Sequence, residues 1–153
     1  MAIVMASSSG LGLGSAMVLA REGVNVVING RDLERLESAL ESIREVATGE
    51  VRYFQGDIKD SRTAAGIVKF TIEEFGKLDH LVTNSGPPPC LHFEEAEDVD
   101  WYESYELLVM SVVRMIREAE PYLRESENGT IVTITSRIVK EPTSTNVLSS
   151  AIR

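Results

Sequence analysis

Cysteine is nearly absent from this chain: among 153 residues only Cys90 carries a thiol, so no disulfide can close within it and no second thiol completes a metal or redox pair. Standing directly after Pro87-Pro88-Pro89, Cys90 reads as structural filler. No apolar run approaches the roughly 20 residues needed to cross a bilayer. Nor does the N-terminus show a basic segment followed by a long apolar stretch and a cleavage site. The expectation is a cytoplasmic protein without a membrane partner. Basic residues are outnumbered, 15 Lys and Arg against 24 Asp and Glu, for a formal charge of −9. That balance disfavours nucleic acid as a partner, since its phosphate backbone calls for a basic surface. The densest acidic stretch, Glu94 to Glu106, lacks fixed metal-ligand spacing and reads as a solvated loop and first helical turn, so no metal is expected. Repeats, low-complexity tracts and linkers are also missing, and the length fits one domain, residues 1–153.

What is present is a strict alternation of apolar, β-branched runs with helical patterns of ten residues or more. It predicts strands over Ile3–Ala6, Val24–Ile28, Val51–Gln55, Leu78–Thr83 and Thr130–Thr135. The intervening helices are predicted over Leu13–Glu22, Asp32–Val46, Ser61–Phe75 and Trp101–Leu123, with Asp32 as an N-cap. Such alternation implies parallel strands joined by right-handed crossovers: an α/β fold with a doubly wound parallel sheet of Rossmann type, about five strands of a larger sheet being present. Runs such as Val24–Ile28 and Ile131–Ile134 fit a sheet covered on both faces. The Trp101 helix is apolar round most of its circumference, from Leu107 to Ile116, which suits a subunit interface and hence a homo-oligomer; burial under further strands is the competing explanation.

The first strand runs straight into Ser7-Ser8-Ser9-Gly10-Leu11-Gly12-Leu13-Gly14 and then into a helix. A tight turn opening a helix gathers unpaired backbone N–H groups and the positive helix end at one point, where a pyrophosphate can sit. Side chains at Gly10 or Gly12 would hold the phosphate away. The glycines are spaced by two and two, unlike the common dinucleotide fingerprint, and an ordinary strand-to-helix connection rich in small residues is the lesser alternative on this segment alone. In a sheet of this kind ligands bind at the carboxyl ends of the strands. Three other segments fall there: Asn29-Gly30-Arg31-Asp32, Gly56-Asp57-Ile58 and Thr83-Asn84-Ser85-Gly86-Pro87, while the fifth strand ends in Thr135-Ser136.

With these segments in order, the chain resembles the cofactor-binding part of the short-chain dehydrogenase/reductase family. The family's Thr-Gly-x-x-x-Gly-x-Gly turn falls on Met5 to Gly12, with Ala6 in place of the first glycine, a mild change by size. Its Asn-Asn-Ala-Gly matches Thr83-Asn84-Ser85-Gly86, its adenine-contacting Asp matches Asp57, and its substrate-contacting Ser matches Ser136. The resemblance implies a nicotinamide cofactor contacted by Ala6, Ser8, Ser9, Gly10, Leu11, Gly12, Arg31, Asp57, Ile58, Asn84, Ser85 and Gly86. Where an NAD enzyme places a carboxylate at the end of the second strand, this chain has Gly30 followed by Arg31, which favours the 2′-phosphate of NADP; NAD stays open, since Arg31 also reads as a solvated charge.

The resemblance weakens at the catalytic end. Counting from Ser136, the family's Tyr-x-x-x-Lys pair falls on Ser149 and Arg153, and its helix Asn on Leu108. All four tyrosines precede Ser136 and none can fill the gap. A phenol has a reference pKa near 10 and an alkyl hydroxyl is far less acidic, so Ser149 is no equivalent proton donor. Arg153 can still position the nicotinamide ribose and supply positive charge, but an arginine is a poor proton carrier. His80 reads as a core strand histidine and His92 as a solvated loop residue. The implied activity is hydride transfer between nicotinamide and a small carbonyl or alcohol substrate, resembling the 3-oxoacyl-acyl-carrier-protein reductases, with Ser136, Ser149 and Arg153 as catalytic candidates. A catalytically impaired nucleotide-binding or scaffold protein of the same fold is the alternative. Family members continue past this point, so the sequence reads as truncated at both ends; a helix starting near Ser149 should have no room to form, and the fifth strand should be an exposed, self-associating edge.

Overall fold

The structure is a computed structural model describing residues 1–153. Five strands pair in parallel in the order β3-β2-β1-β4-β5. They are β1 (Ala2–Val4), β2 (Val26–Gly30), β3 (Val51–Gln55), β4 (His80–Thr83) and β5 (Thr130–Thr133). Helices α1 (Gly10–Arg21), α2 (Leu33–Arg44) and α3 (Ser61–Phe75) provide the first crossovers. The chain leaves β1 in one direction to reach β2 and returns to its other side at β4. That reversal opens a crevice at the carboxyl ends of β1 and β4, where doubly wound sheets take their ligands.

Period-2 alternation divides the strand side chains between two cores. Ile3, Met5, Val27 and Leu81 pack with Ile67 of α3 and with Met115 and Ala119 further along the chain. Val4, Val26, Ile28 and Val82 pack with Ala16 and Ala20 of α1 and Leu36, Ala39 and Ile43 of α2. The spacing of Leu36, Ala39, Leu40 and Ile43 draws one apolar stripe along α2, and Asp32 caps it by accepting from the Arg35 N–H at 3.1 Å. Small residues on α1 let its axis approach β1 and β2.

Several expectations need correction. β1 ends at Val4 because Ala6 takes a left-handed backbone, φ 45°. The helix expected over Trp101–Leu123 is three pieces: α4 (Asp98–Tyr105), a π turn (Glu106–Met110) and α5 (Ser111–Glu125). The fifth strand is not covered on both faces: Ile131 is 42% and Val132 51% exposed, because β5 pairs only with β4 and no helix lies over it. Cys90 is exposed rather than filler, and His80 is half-buried rather than fully in the core. The last helix does form. α6 (Val147–Ile152) is stabilised by tertiary packing, burying Leu148 completely, and its first N–H bonds to the Leu91 carbonyl at 3.2 Å. No helix is long and apolar enough to cross a membrane.

Candidate cofactor and active site

The ends of β1, β2 and β3 are tied together by two buried polar residues. Ser7 Oγ donates to the Val4 carbonyl at 2.6 Å and accepts from the Asn29 N–H at 3.0 Å. The Asn29 side-chain amide donates to the carbonyls of Phe54 and Gly56 at 3.2 and 3.1 Å, while its Oδ1 accepts from the Ala6 N–H at 3.4 Å. Asn29 is fully buried. It is a scaffold for the site that sequence reasoning treated only as a strand end; the available signal was a polar residue closing an otherwise apolar central strand.

From this base the glycine-rich turn rises. Ala6 sits in the left-handed region that glycine favours, a strain of about 1 kcal/mol for a residue with a Cβ, so its replacement of the family's glycine is costlier than its size suggests. Gly10 opens α1 with φ 58°. At Gly12 an added Cβ would lie 2.5 Å from the Ala6 carbonyl oxygen and 2.9 Å from the Asn84 amide nitrogen. Only glycine fits between the turn and the end of β4. Ser9 occupies the N-cap position of α1 with its side chain making no capping bond, leaving its hydroxyl for the crevice.

A groove of about 480 Å³ opens over the turn, and every sequence-predicted cofactor residue except Gly12 lines it; Gly12 lies beneath. At one end Arg31 faces Asp57, Nη1 to Oδ2 3.7 Å, with Arg31 72% exposed. Arg35, one turn into α2, lines the same end and went unnoticed in the sequence because its position reads as an ordinary solvated helix face. Gly30 is tightly packed: an added Cβ would lie 3.0 Å from Ser8 Oγ and 3.2 Å from Leu36 Cγ, so a larger residue there would have to displace these side chains. Asp57 shapes its own loop by accepting from the Lys59 N–H at 2.9 Å.

At the other end Asn84 and Ser85 are shared with a second cavity of about 200 Å³, walled by Leu108, Val109, Val112 and Ile134, with Arg153 at its edge. Arg153 Nη2 donates to the Gly86 carbonyl at 3.5 Å, its Nε is buried without a partner, and burial pushes its pKa down. The other two catalytic candidates are placed differently. Ser136 caps the turn Arg137–Val139, its Oγ accepting from the Ile138 N–H at 3.3 Å. Ser149 is buried on α6. Neither lines either cavity, so the structure brings Arg153 to the cofactor residues but not Ser136 or Ser149. His92 lies outside both cavities, its N–H bonded to Glu95 Oε2 at 2.9 Å. No group of three or more His, Cys, Asp or Glu is placed to hold a metal ion.

A family model described as short chain dehydrogenase matches residues 1–151. The chain belongs to that family. Among curated relatives, 11-beta-hydroxysteroid dehydrogenase A of Sesamum indicum is 32% identical over 142 residues, 92% of this chain and 40% of the relative. Among solved structures, L-sorbose reductase from Gluconobacter frateurii, complexed with NADPH and L-sorbose, superposes with a TM-score of 0.92 at 30% identity, over 99% of this chain and 57% of that one. An NADPH-bound short chain oxidoreductase from Pseudomonas aeruginosa PAO1, described as containing an atypical catalytic center, superposes with a TM-score of 0.94 at 28% identity, over 99% of this chain and 60% of its own. The chain spans about half the length of the relatives it matches.

Proposed function

We propose that this chain forms the NADP(H)-binding region of an oxidoreductase that moves a hydride between nicotinamide and a carbonyl or alcohol. The observation that carries the reading is the close approach at Gly12, where a Cβ would collide with the Ala6 carbonyl beneath the phosphate turn, together with the tight packing of Gly30 beside Arg31. Bound in the groove, the cofactor would supply the hydride. The residues of the chain do the rest. The N–H groups opening α1 and the Ser8 and Ser9 hydroxyls would hold the pyrophosphate. The absence of a carboxylate at position 30, with Arg31 and Arg35 at the rim, favours the 2′-phosphate of NADP over the free hydroxyl of NAD. Both solved relatives described above are NADPH complexes, which supports the same preference.

On the catalytic side, Arg153, which the resemblance aligns with the family's lysine, would present positive charge near Gly86. Ser136 would hydrogen-bond the substrate oxygen and Ser149 would stand in for the tyrosine. Reduction of a 3-oxoacyl thioester is the finer version of this reading, together with a cytoplasmic location and assembly of copies through α4 and α5. A second reading, a nucleotide-binding or scaffold protein without turnover, is favoured by Leu108, which cannot relay a proton, and by the buried Ser149. Titration with NADPH and NADH by cofactor fluorescence, followed by a ketone panel with NADPH, separates them. Tight NADPH binding with cofactor oxidation supports the oxidoreductase, binding with no oxidation supports the scaffold, and no binding of either cofactor sinks both.

A further inference from the structure

The groove wall opposite the glycine-rich turn is assembled from two pieces remote in sequence. The loop after β3 contributes Ile58 and Lys59, and the π turn contributes Leu107. A π turn widens the helix by one residue and is commonly found where function needs it. Within it Leu107 lines the cofactor groove and Leu108 the smaller cavity.

One side chain ties the two pieces together. Arg114 Nη1 donates to the Lys59 carbonyl at 3.3 Å and also to Glu106 Oε1, the first residue of the π turn. The Arg114 side chain is only 22% exposed and Glu106 35%, so the pair is shielded from solvent more than a surface ion pair. A further link from the same loop runs to α4, just before the π turn: Lys59 Nζ to Glu103 Oε2 at 3.5 Å, which involves a well-exposed carboxylate and holds weakly.

We propose that Arg114 is a positioning residue for the cofactor groove: by holding Glu106 and the Lys59 carbonyl at once, it fixes the spacing of Ile58 and Leu107 and so the slot for the adenine ring. This rests on the dinucleotide reading above, in which Asp57 and Ile58 face the adenosine half. Without the guanidinium, Glu106 is left half-buried and unpaired and the Lys59 carbonyl loses a donor, so loop and π turn are free to separate.

The test is binding of NADPH and of 2′,5′-ADP, which carries only the adenosine half, to the wild-type chain, Arg114→Met and Arg114→Lys, at a temperature where circular dichroism shows each fully folded. Arg114→Met should weaken both ligands in parallel, by about tenfold, the loss expected from one charge-assisted hydrogen-bonded contact. Arg114→Lys should restore both, because a single nitrogen already makes both bonds in the arginine. A lowered melting temperature with unchanged affinity for 2′,5′-ADP would overturn the proposal, as would a loss confined to NADPH. If Arg114→Met does not fold, Glu106→Gln should show the same parallel loss in smaller measure, and unaltered binding there overturns it. Wild type binding neither ligand removes the dinucleotide reading itself, and the inference with it.

Discussion

The side-chain amide of Asn84 donates to the Ala6 carbonyl at 3.1 Å, so the end of β4 holds the residue at which the chain leaves β1. That carbonyl is also the atom an added Cβ at Gly12 would strike, at 2.5 Å. Turn, helix and β4 are thus packed around one oxygen, and Ala6 is kept in its strained backbone by contacts from both sides. Asn84→Ala should cost about 1 kcal/mol in urea unfolding, the net value of one hydrogen bond. Gly12→Ala should cost more and abolish NADPH binding, because backbone rather than a flexible side chain must move. Equal, small effects from the two substitutions would show that the turn is not held this way.

Arg31 pairs with Asp57 at 3.7 Å while remaining largely exposed. An exposed pair of this kind is worth little to stability, so Arg31→Ala should leave the melting temperature nearly unchanged. Its effect should appear in cofactor choice. NADPH affinity should fall by about tenfold or more, and NADH affinity should hold, since only the 2′-phosphate gains from the guanidinium. The preference of the wild type should also shrink as salt is raised through the range where the Debye length falls below about 10 Å. A cofactor ratio indifferent to both substitution and salt would assign Arg31 to solvent.

The parts of this architecture that were readable in advance are those written in local pattern. β3 and α3 begin and end at the residues that periodicity indicates, Val51–Gln55 and Ser61–Phe75, because turn and capping residues bound them. The groove was readable from Gly10, Gly12, Asp57 and Asn84 because strand ends converge in a doubly wound sheet. What escaped depends on contacts across the chain. The π turn breaks an unbroken apolar pattern, and the Lys59 carbonyl that accepts from Arg114 of α5 is 55 residues away from it. Asn29 works through the backbones of two neighbouring strands, which no spacing reveals. The α6 helix forms because Leu148 finds a buried site, against its own poor odds as a short isolated helix.

Asp79 is held ionised by its neighbours. Burial would raise its pKa, but hydrogen bonds from the Met1 amino group, the Ser126 hydroxyl and the Lys77 ammonium outweigh burial and hold the carboxyl well below the usual carboxylate range. A carboxyl depressed in the folded state contributes stability that is complete above its unfolded value, about pH 4, and is lost as pH falls toward the folded value. Urea unfolding at pH 7 and pH 3 should therefore show a larger acid loss for wild type than for Asp79→Asn. Parallel losses in the two proteins would place the acid sensitivity elsewhere.

β5 bonds to β4 along one side only and leaves its other side unpaired. It combines that free edge with apolar side chains, Ile131 and Val132, that are 42% and 51% exposed. Unpaired N–H and C=O groups beside apolar surface form a template for another strand, and proteins commonly blunt such an edge with charge. The chain of 153 residues should therefore self-associate, with an average mass in light scattering that rises with concentration. Val132→Lys places a charge on the edge without touching the residues packed beneath β4, so it should shift the chain toward monomer while leaving the melt cooperative. A wild-type chain that stays monomeric at high concentration would mean that twist at β5 already protects the edge, and the lysine would then have nothing to change.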